Sequence, residues 1–179
     1  MIALFQPQSP KTTPIKPVVK ESPAQTILSF GVPVIATSSS TSTLNYSLPV
    51  NIMSGKNKIT AVQLELQYDP LILTDVAIAP GQFFPKPDVL LNQIDTKTGR
   101  ISYALSVGLT DEGIIDKGAV ANLTFSVKAQ APTKTIIIFL PKTLVTAAGI
   151  NESVLKQAVN TPFTVGKDNF TPSSAFPMR

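Results

Sequence analysis

The sequence predicts an all-β domain of secreted type. Three observations carry that expectation. Apolar and polar residues alternate with period two over several long stretches, no stretch of useful length carries a helical period, and proline, glycine or Ser/Thr clusters punctuate the chain between them. From Ala61 to Tyr68, Val62, Leu64, Leu66 and Tyr68 alternate with Ala61, Gln63, Glu65 and Gln67. Successive strand side chains point to opposite faces, so this is a half-buried strand. Asp69-Pro70 ends it, because Pro70 has no N–H for a ladder and biases Asp69 toward extended or turn geometry. Leu71, Ile72 and Leu73 are then expected to return to the core.

The chain divides into an arm, a domain and a tail. Residues 1–26 form the arm, with proline every few positions among Lys, Thr and Ser, a composition that favours an extended polyproline II spacer. Its sharper alternative is that Pro14 to Val19 is a donor arm that lies on a neighbouring copy. Residues 27–166 form the β domain, and residues 167–179 have no pattern and read as a linker end. Met1 to Phe5 is mildly apolar but too short to identify a signal or anchor.

Within the domain, Ile27 to Ala36 is a first strand, interrupted by Pro33, which belongs at an edge or bulge. Leu44, Tyr46, Leu48, Val50 and Ile52 alternate with polar residues and give a long second strand, and a loop around Ser54-Gly55 leads into the Ala61 strand. After Val76 to Ile78, Pro80-Gly81 turns the chain into Phe83-Phe84-Pro85, an apolar loop over one end of the sandwich. Leu90–Asp95 and Arg100–Val107 form a hairpin across Thr96-Lys97-Thr98-Gly99, with the glycine at the position that needs a positive φ. Ala121, Leu123, Phe125 and Val127 alternate with Asn122, Thr124, Ser126 and Lys128. Thr135 to Leu140 is a continuous apolar run, read as one buried strand, and Leu144–Ala147 and Lys156–Val165 complete the domain.

Composition excludes several chemistries. The 179 residues contain neither cysteine nor histidine, so disulfides, thiolate sites, histidine ligands and Ser-His-Asp catalysis are ruled out. A low charged fraction of 15%, with abundant Ser, Thr and Pro, suits an adhesive extracellular β module of a prokaryotic surface better than a helical enzyme. The net charge is +4, yet the lysines are scattered and tryptophan is absent, which argues against a nucleic-acid surface. No apolar run is long enough to span a bilayer as a helix.

A succession of landmarks adds a family resemblance. Tyr68-Asp69-Pro70 is followed by Thr98-Gly99-Arg100-Ile101-Ser102-Tyr103, then by Gly118 to Val127, then by Ala147-Ala148-Gly149-Ile150-Asn151. In this order and spacing they resemble the cohesin domain family over roughly residues 31–166. The resemblance implies a nine-stranded β-sandwich of jelly-roll topology, related in architecture to carbohydrate-binding modules. It also implies a non-catalytic role, in which one sheet face grips the calcium-loaded helical dockerin module of another protein. Carried over by strand parity, that face comprises Gln63, Glu65 and Gln67, then Ser102, Ala104 and Ser106, with Ile150 in the late loop. All are expected to point outward, so lysine at both Gln63 and Glu65 should weaken capture without unfolding the domain. The Asn and Asp common on the outward third strand of cellulosomal cohesins are Ala61 and Gln63 here, which points to a divergent, non-cellulosomal member.

Other readings follow from particular residues. Asp111, Glu112 and Asp116 form the densest acidic group and a weak candidate for calcium, without EF-hand spacing and poorly placed for hydrolysis by a carboxylate pair. No cofactor is otherwise expected. A carbohydrate-binding module is the rival from another class, but Tyr46, Tyr68 and Tyr103 fall on inward parity, which leaves Phe83 and Phe84 as the candidate sugar platform. Assembly with other copies into a surface fibre, through the N-terminal arm, is the third. Sequons occur at Asn45, Asn122, Asn151 and Asn169.

Overall fold

The computed structural model describes residues 23–37, 43–108, 112–128 and 132–166, and every helix-or-strand element among them is a strand. The long strands are the stretches that alternate in sequence. β3 (Thr43–Met53) buries Leu44, Tyr46, Leu48, Val50 and Ile52, and β4 (Ile59–Gln67) buries Val62, Leu64 and Leu66. β7 (Arg100–Ser106) buries Ile101, Tyr103 and Leu105, while β8 (Lys117–Lys128) buries Ala121, Leu123, Phe125 and Val127. Period-two patterning therefore gives one wet and one dry face to each strand, and the dry faces meet in one core.

One sheet runs in the order β12 (Leu155–Val159), β1 (Thr26–Phe30), β3, β8 and β5 (Thr74–Pro80), with β2 (Val34–Thr37) also paired to β3. The opposing sheet runs β10 (Ile138–Phe139), β4, β7 and β6 (Asp88–Asp95), with β11 (Leu144–Ala147) also on β4. A small ribbon pairs β9 (Thr133–Thr135) with β13 (Phe163–Val165). Strands distant in sequence are neighbours, β3 beside β8 and β4 beside β7, so the chain crosses repeatedly between sheets in the jelly-roll manner. The thirteen strands among the described residues reduce to the expected nine when β1–β2, β9–β11 and β12–β13 are each counted as one interrupted strand, which removes four.

The interruptions have local causes, and the one at Pro33 falls where the sequence places it. The first strand breaks at Gly31 to Pro33, and its halves lie along different stretches of β3, β1 beside Val50–Met53 and β2 beside Asn45–Ser47. Thr135 to Leu140 is not one buried strand: it passes from the ribbon to the β4 edge, and Ile136 turns outward between them. Pro162, which has no N–H, separates β12 from β13, and β12 runs parallel to β1.

Two apolar groups also sit otherwise than expected. Of Leu71, Ile72 and Leu73, Leu73 enters the core and Ile72 packs half-buried against it, while Leu71 is 93% exposed. Asp69 Oδ1 accepts from Leu71 N at 2.9 Å and Asp69 O accepts from Leu73 N at 3.0 Å, so the chain coils there and successive side chains diverge. Phe83 and Phe84 form no sugar platform, being 6% and 2% exposed. Gly81 N donates to Val120 O and Phe83 N to Ala119 O, at 3.0 and 2.8 Å, which fastens the loop to β8 and turns both rings inward, edge to face. The hairpin β6–β7 and the inward placement of Tyr46, Tyr68 and Tyr103 are as the alternation predicts.

The proline-rich arm up to Ser22, the Ser/Thr turn at 38–42, Asp111, and the tail from Lys167, with Asn169, lie outside the described residues.

Candidate partner-binding face

The outer surface of the β10-β4-β7-β6 sheet collects six of the seven residues singled out from the sequence. Antiparallel register sets Ala61 opposite Ser106, Gln63 opposite Ala104, Glu65 opposite Ser102 and Gln67 opposite Arg100, and directly opposed residues share a face. Continuing the rows, β11 sets Leu144 beside Gln63 and Thr146 beside Ala61, while β6 sets Leu91 beside Ala104 and Gln93 beside Ser102. The centre of this face is thus a line of small side chains, Ser102, Ala104 and Ser106, flanked by the longer Gln63 and Gln67 on one side and Leu91 and Gln93 on the other. Ile150 lies in the late loop, as the sequence places it. It sits in the turn that closes β11, bridged to Ala147 and half-buried, beyond the Ala61 end of the sheet.

Glu65 has the expected parity but not the expected exposure. Its side chain is 6% exposed, while that of its partner Arg100 is 46% exposed. Arg100 Nη2 and Ser102 Oγ donate to Glu65 Oε2 at 3.0 and 2.9 Å, and Gln63 Nε2 donates to Oε1 at 3.2 Å. The backbone is tied as closely: Glu65 N donates to Thr143 Oγ1 at 3.1 Å, and Glu65 O accepts from Thr143 Oγ1 at 3.0 Å and from Leu140 N at 2.7 Å. These bonds fill the gap where β10 ends and β11 begins along β4. Lysine at Gln63 and Glu65 would therefore set a cation against Arg100 in a nearly dry position, and the expectation that this change spares the fold is withdrawn.

Burial by itself raises the Glu65 pKa, but the hydrogen bonds from Arg100, Ser102 and Gln63 and the Arg100 charge together outweigh it, leaving the carboxyl below its ordinary 4.5. A carboxyl held lower in the folded state than in the unfolded one contributes stability that is complete above the unfolded value and is lost as pH falls through the folded value. Glu65→Gln should therefore cost roughly 1.5–3 kcal/mol near neutral pH, the range for hydrogen bonds to a charged group. Its stability should also fall less steeply than wild type below pH 4.5. Urea unfolding of both proteins at about pH 7 and about pH 3.5 checks this; parallel losses would mean that the pairing contributes nothing.

The remaining polar residues have assigned work. Gln67 Nε2 donates to Tyr68 O and Thr98 O, which fixes it against the β6–β7 turn. Asp95 accepts from Lys97 N, Thr98 N and Thr98 Oγ1, so its carboxylate serves its own turn rather than Arg100, and these bonds lower its pKa. In the acidic group, Glu112 pairs with Lys58 at 2.7 Å, and that pairing lowers its pKa. Asp116 accepts from Lys117 N. Among the described residues no group of three or more acidic side chains is close enough to hold a metal ion. Parity found the face; it missed Arg100, Thr143, Leu144 and Leu91. Arg100 had a readable signal, since it lies two residues before Ser102 and shares its parity.

Cohesin modules are among the solved structures similar to this fold. The third cohesin of ScaC from Acetivibrio cellulolyticus, solved in complex with the ScaB dockerin, superposes with a TM-score of 0.61 at 17% identity, over 80% of this chain and 100% of that one. The cohesin of the Coh-OlpA-Doc918 complex from Clostridium thermocellum gives 0.58 at 17% identity, over 76% of this chain and 96% of that one. The second type II cohesin of the adaptor scaffoldin ScaA from Acetivibrio cellulolyticus gives 0.57 at 15% identity, over 80% and 96%. At these identities the likeness is one of fold. No curated protein matches the chain in sequence. The cohesin domain family itself matches residues 34–165, well over half of the 179 residues. With that match laid over the jelly-roll sandwich and its β4–β7 face, the chain belongs to the cohesin domain family.

Proposed function

We propose that this domain is a non-catalytic docking module that captures a dockerin-like partner on the outer face of β4, β7 and β6, outside the cell or at its surface. The observation that carries the reading is the trough along β7. Ser102, Ala104 and Ser106 keep its floor low enough for a helix to approach the sheet closely, and Leu144 and Leu91 add half-buried apolar surface on either side. Docking surfaces draw most of their energy from such a desolvated centre with polar groups around it. Calcium, in this reading, is carried by the partner. The burial of Phe83, Phe84 and all three tyrosines removes the stacking surface on which a sugar-binding reading would depend.

The test is a pull-down from the organism's secreted and membrane extracts, using the full chain and its Ala104→Arg variant, with calcium and with chelator. A captured protein carrying paired EF-hand-like loops, released by chelator and held at least roughly tenfold more weakly by Ala104→Arg, is the expected result. Equal capture by the variant, or recovery of polysaccharide or further copies of the chain alone, would sink the proposal. The thermal midpoint of Ala104→Arg should stay close to wild type, because Ala104 lies on the outer face and a longer side chain there extends into solvent.

A further inference from the structure

The trough ends at a cation. Arg100 lies at the first position of β7, on the same face as Ser102 and Ala104, and nearly half of its side chain is open. Glu65 takes one of its five donors, through Nη2 at 3.0 Å, and Glu65 is itself fixed by Ser102, Gln63 and the buried Thr143. Such bracing removes most of the rotamer freedom that normally makes an exposed arginine a poor anchor. The Glu65 carboxylate, 6% exposed and met by three donors, has little to offer a partner. Asp95, opposite Arg100 on β6, is turned into its own loop. What Arg100 presents at this end of the trough is thus a half-open guanidinium, held in place by Glu65 and with donors to spare.

We propose that Arg100, positioned by Glu65, selects the partner by taking a carboxylate carried on its docking helix; this rests on the docking reading above. A helix lying along β7 with apolar residues over Ala104 reaches Arg100 after roughly 13 Å, four residues of strand. On the helix that span is about nine residues, and the positions nearest it that return to the sheet-facing side lie about seven or eight residues on. The recognised carboxylate therefore sits about two turns from the apolar contact, the long Arg100 side chain covering the remainder. A partner cation at that point would meet Arg100 at close range. A neutral side chain would leave the guanidinium partly desolvated without a new acceptor, so both are disfavoured relative to Asp or Glu.

The experiment uses a yeast-displayed library built on one calcium-loaded dockerin-type scaffold, randomised at the exposed positions of its helices. It is sorted separately against the full wild-type chain, Arg100→Gln and Arg100→Lys, and the thermal midpoint of each is measured beforehand. Wild type should enrich Asp or Glu at a single helix position. Arg100→Lys, which keeps the charge, should retain that preference, and Arg100→Gln should lose it, with wild-type-selected clones binding the glutamine variant roughly tenfold or more weakly. Wild-type clones are also tested on Ala104→Arg. Clones that fail on Ala104→Arg but show the same helix residues with Arg100→Gln as with wild type overturn the role of Arg100 and leave the docking face standing. Clones indifferent to Ala104→Arg overturn both.

Discussion

Leu64→Asp is expected to leave no folded domain at room temperature, the largest effect of any single change considered. Leu64 is fully buried at the centre of β4, the strand that has β7 on one side and both β10 and β11 on the other. Losing its side chain forfeits roughly 2–5 kcal/mol through lost apolar burial and the cavity left behind. The new carboxylate then either ionises, at an effective cost of several kcal/mol, or stays protonated in the apolar core, opposite Tyr103 on β7. Together these approach or exceed the roughly 5–15 kcal/mol by which a domain of this kind is stable. Far-UV and near-UV circular dichroism, with a urea titration, read the outcome directly. A cooperative transition within about 2 kcal/mol of wild type would mean that β4 does not present Leu64 inward, and the whole parity argument for the docking face would fall with it.

That dependence on parity marks what was legible in the sequence. A period of two is a local property, so the dry faces of β3, β4, β7 and β8 could be read from the alternation of Leu, Val, Ile and Tyr with smaller or polar residues, and the outward set followed at once. Pairing is not local. Whether Ile136 continues a strand or turns outward depends on β13 and β4, one 25 or more residues downstream and the other some 70 upstream, and nothing in the run Thr135 to Leu140 encodes the switch. The parallel junction of β1 with β12 is of the same kind.

Glu65 shows the limit most clearly. Its parity is plain, but its burial is created by Arg100, Ser102 and Thr143, which lie 35, 37 and 78 residues away in sequence. A carboxylate at an outward position reads as a contact for a partner. Here it becomes a brace for Arg100, because Arg100 and Ser102 donate to it from β7 and Gln63 from its own strand. Phe83 and Phe84 make the complementary point: an apolar loop reads equally as platform or plug, and only the bonds to Ala119 and Val120 decide for the plug.

The turn that delivers Arg100 to the face was legible, and it carries the second large prediction: Gly99→Ala should lower stability by about 3 kcal/mol, a fall of roughly 10 °C in Tm. Two separate penalties act there. Gly99 has a φ of 72°, in the left-handed region, where an alanine costs on the order of 1 kcal/mol. A Cβ at that position would also stand 2.2 Å from Tyr68 O, a backbone atom that cannot swing aside. Relief requires the turn to move, and the turn is anchored by Tyr68 N donating to Gly99 O and Gly99 N donating to Asp95 O, at 2.9 and 2.8 Å. Gly149 isolates the first penalty, since its φ is 73° but an added Cβ would meet nothing within 4 Å. Gly149→Ala should therefore cost only the backbone share, about 1 kcal/mol. Differential scanning calorimetry of the two variants gives the contact with Tyr68 by difference. Equal losses would show that the turn yields without resistance, in which case Arg100 is not held by a rigid hairpin and the Gly99 variant should capture partner as well as wild type. If the losses differ as expected, the same variant should also weaken capture, because displacing Gly99 displaces the guanidinium one residue on.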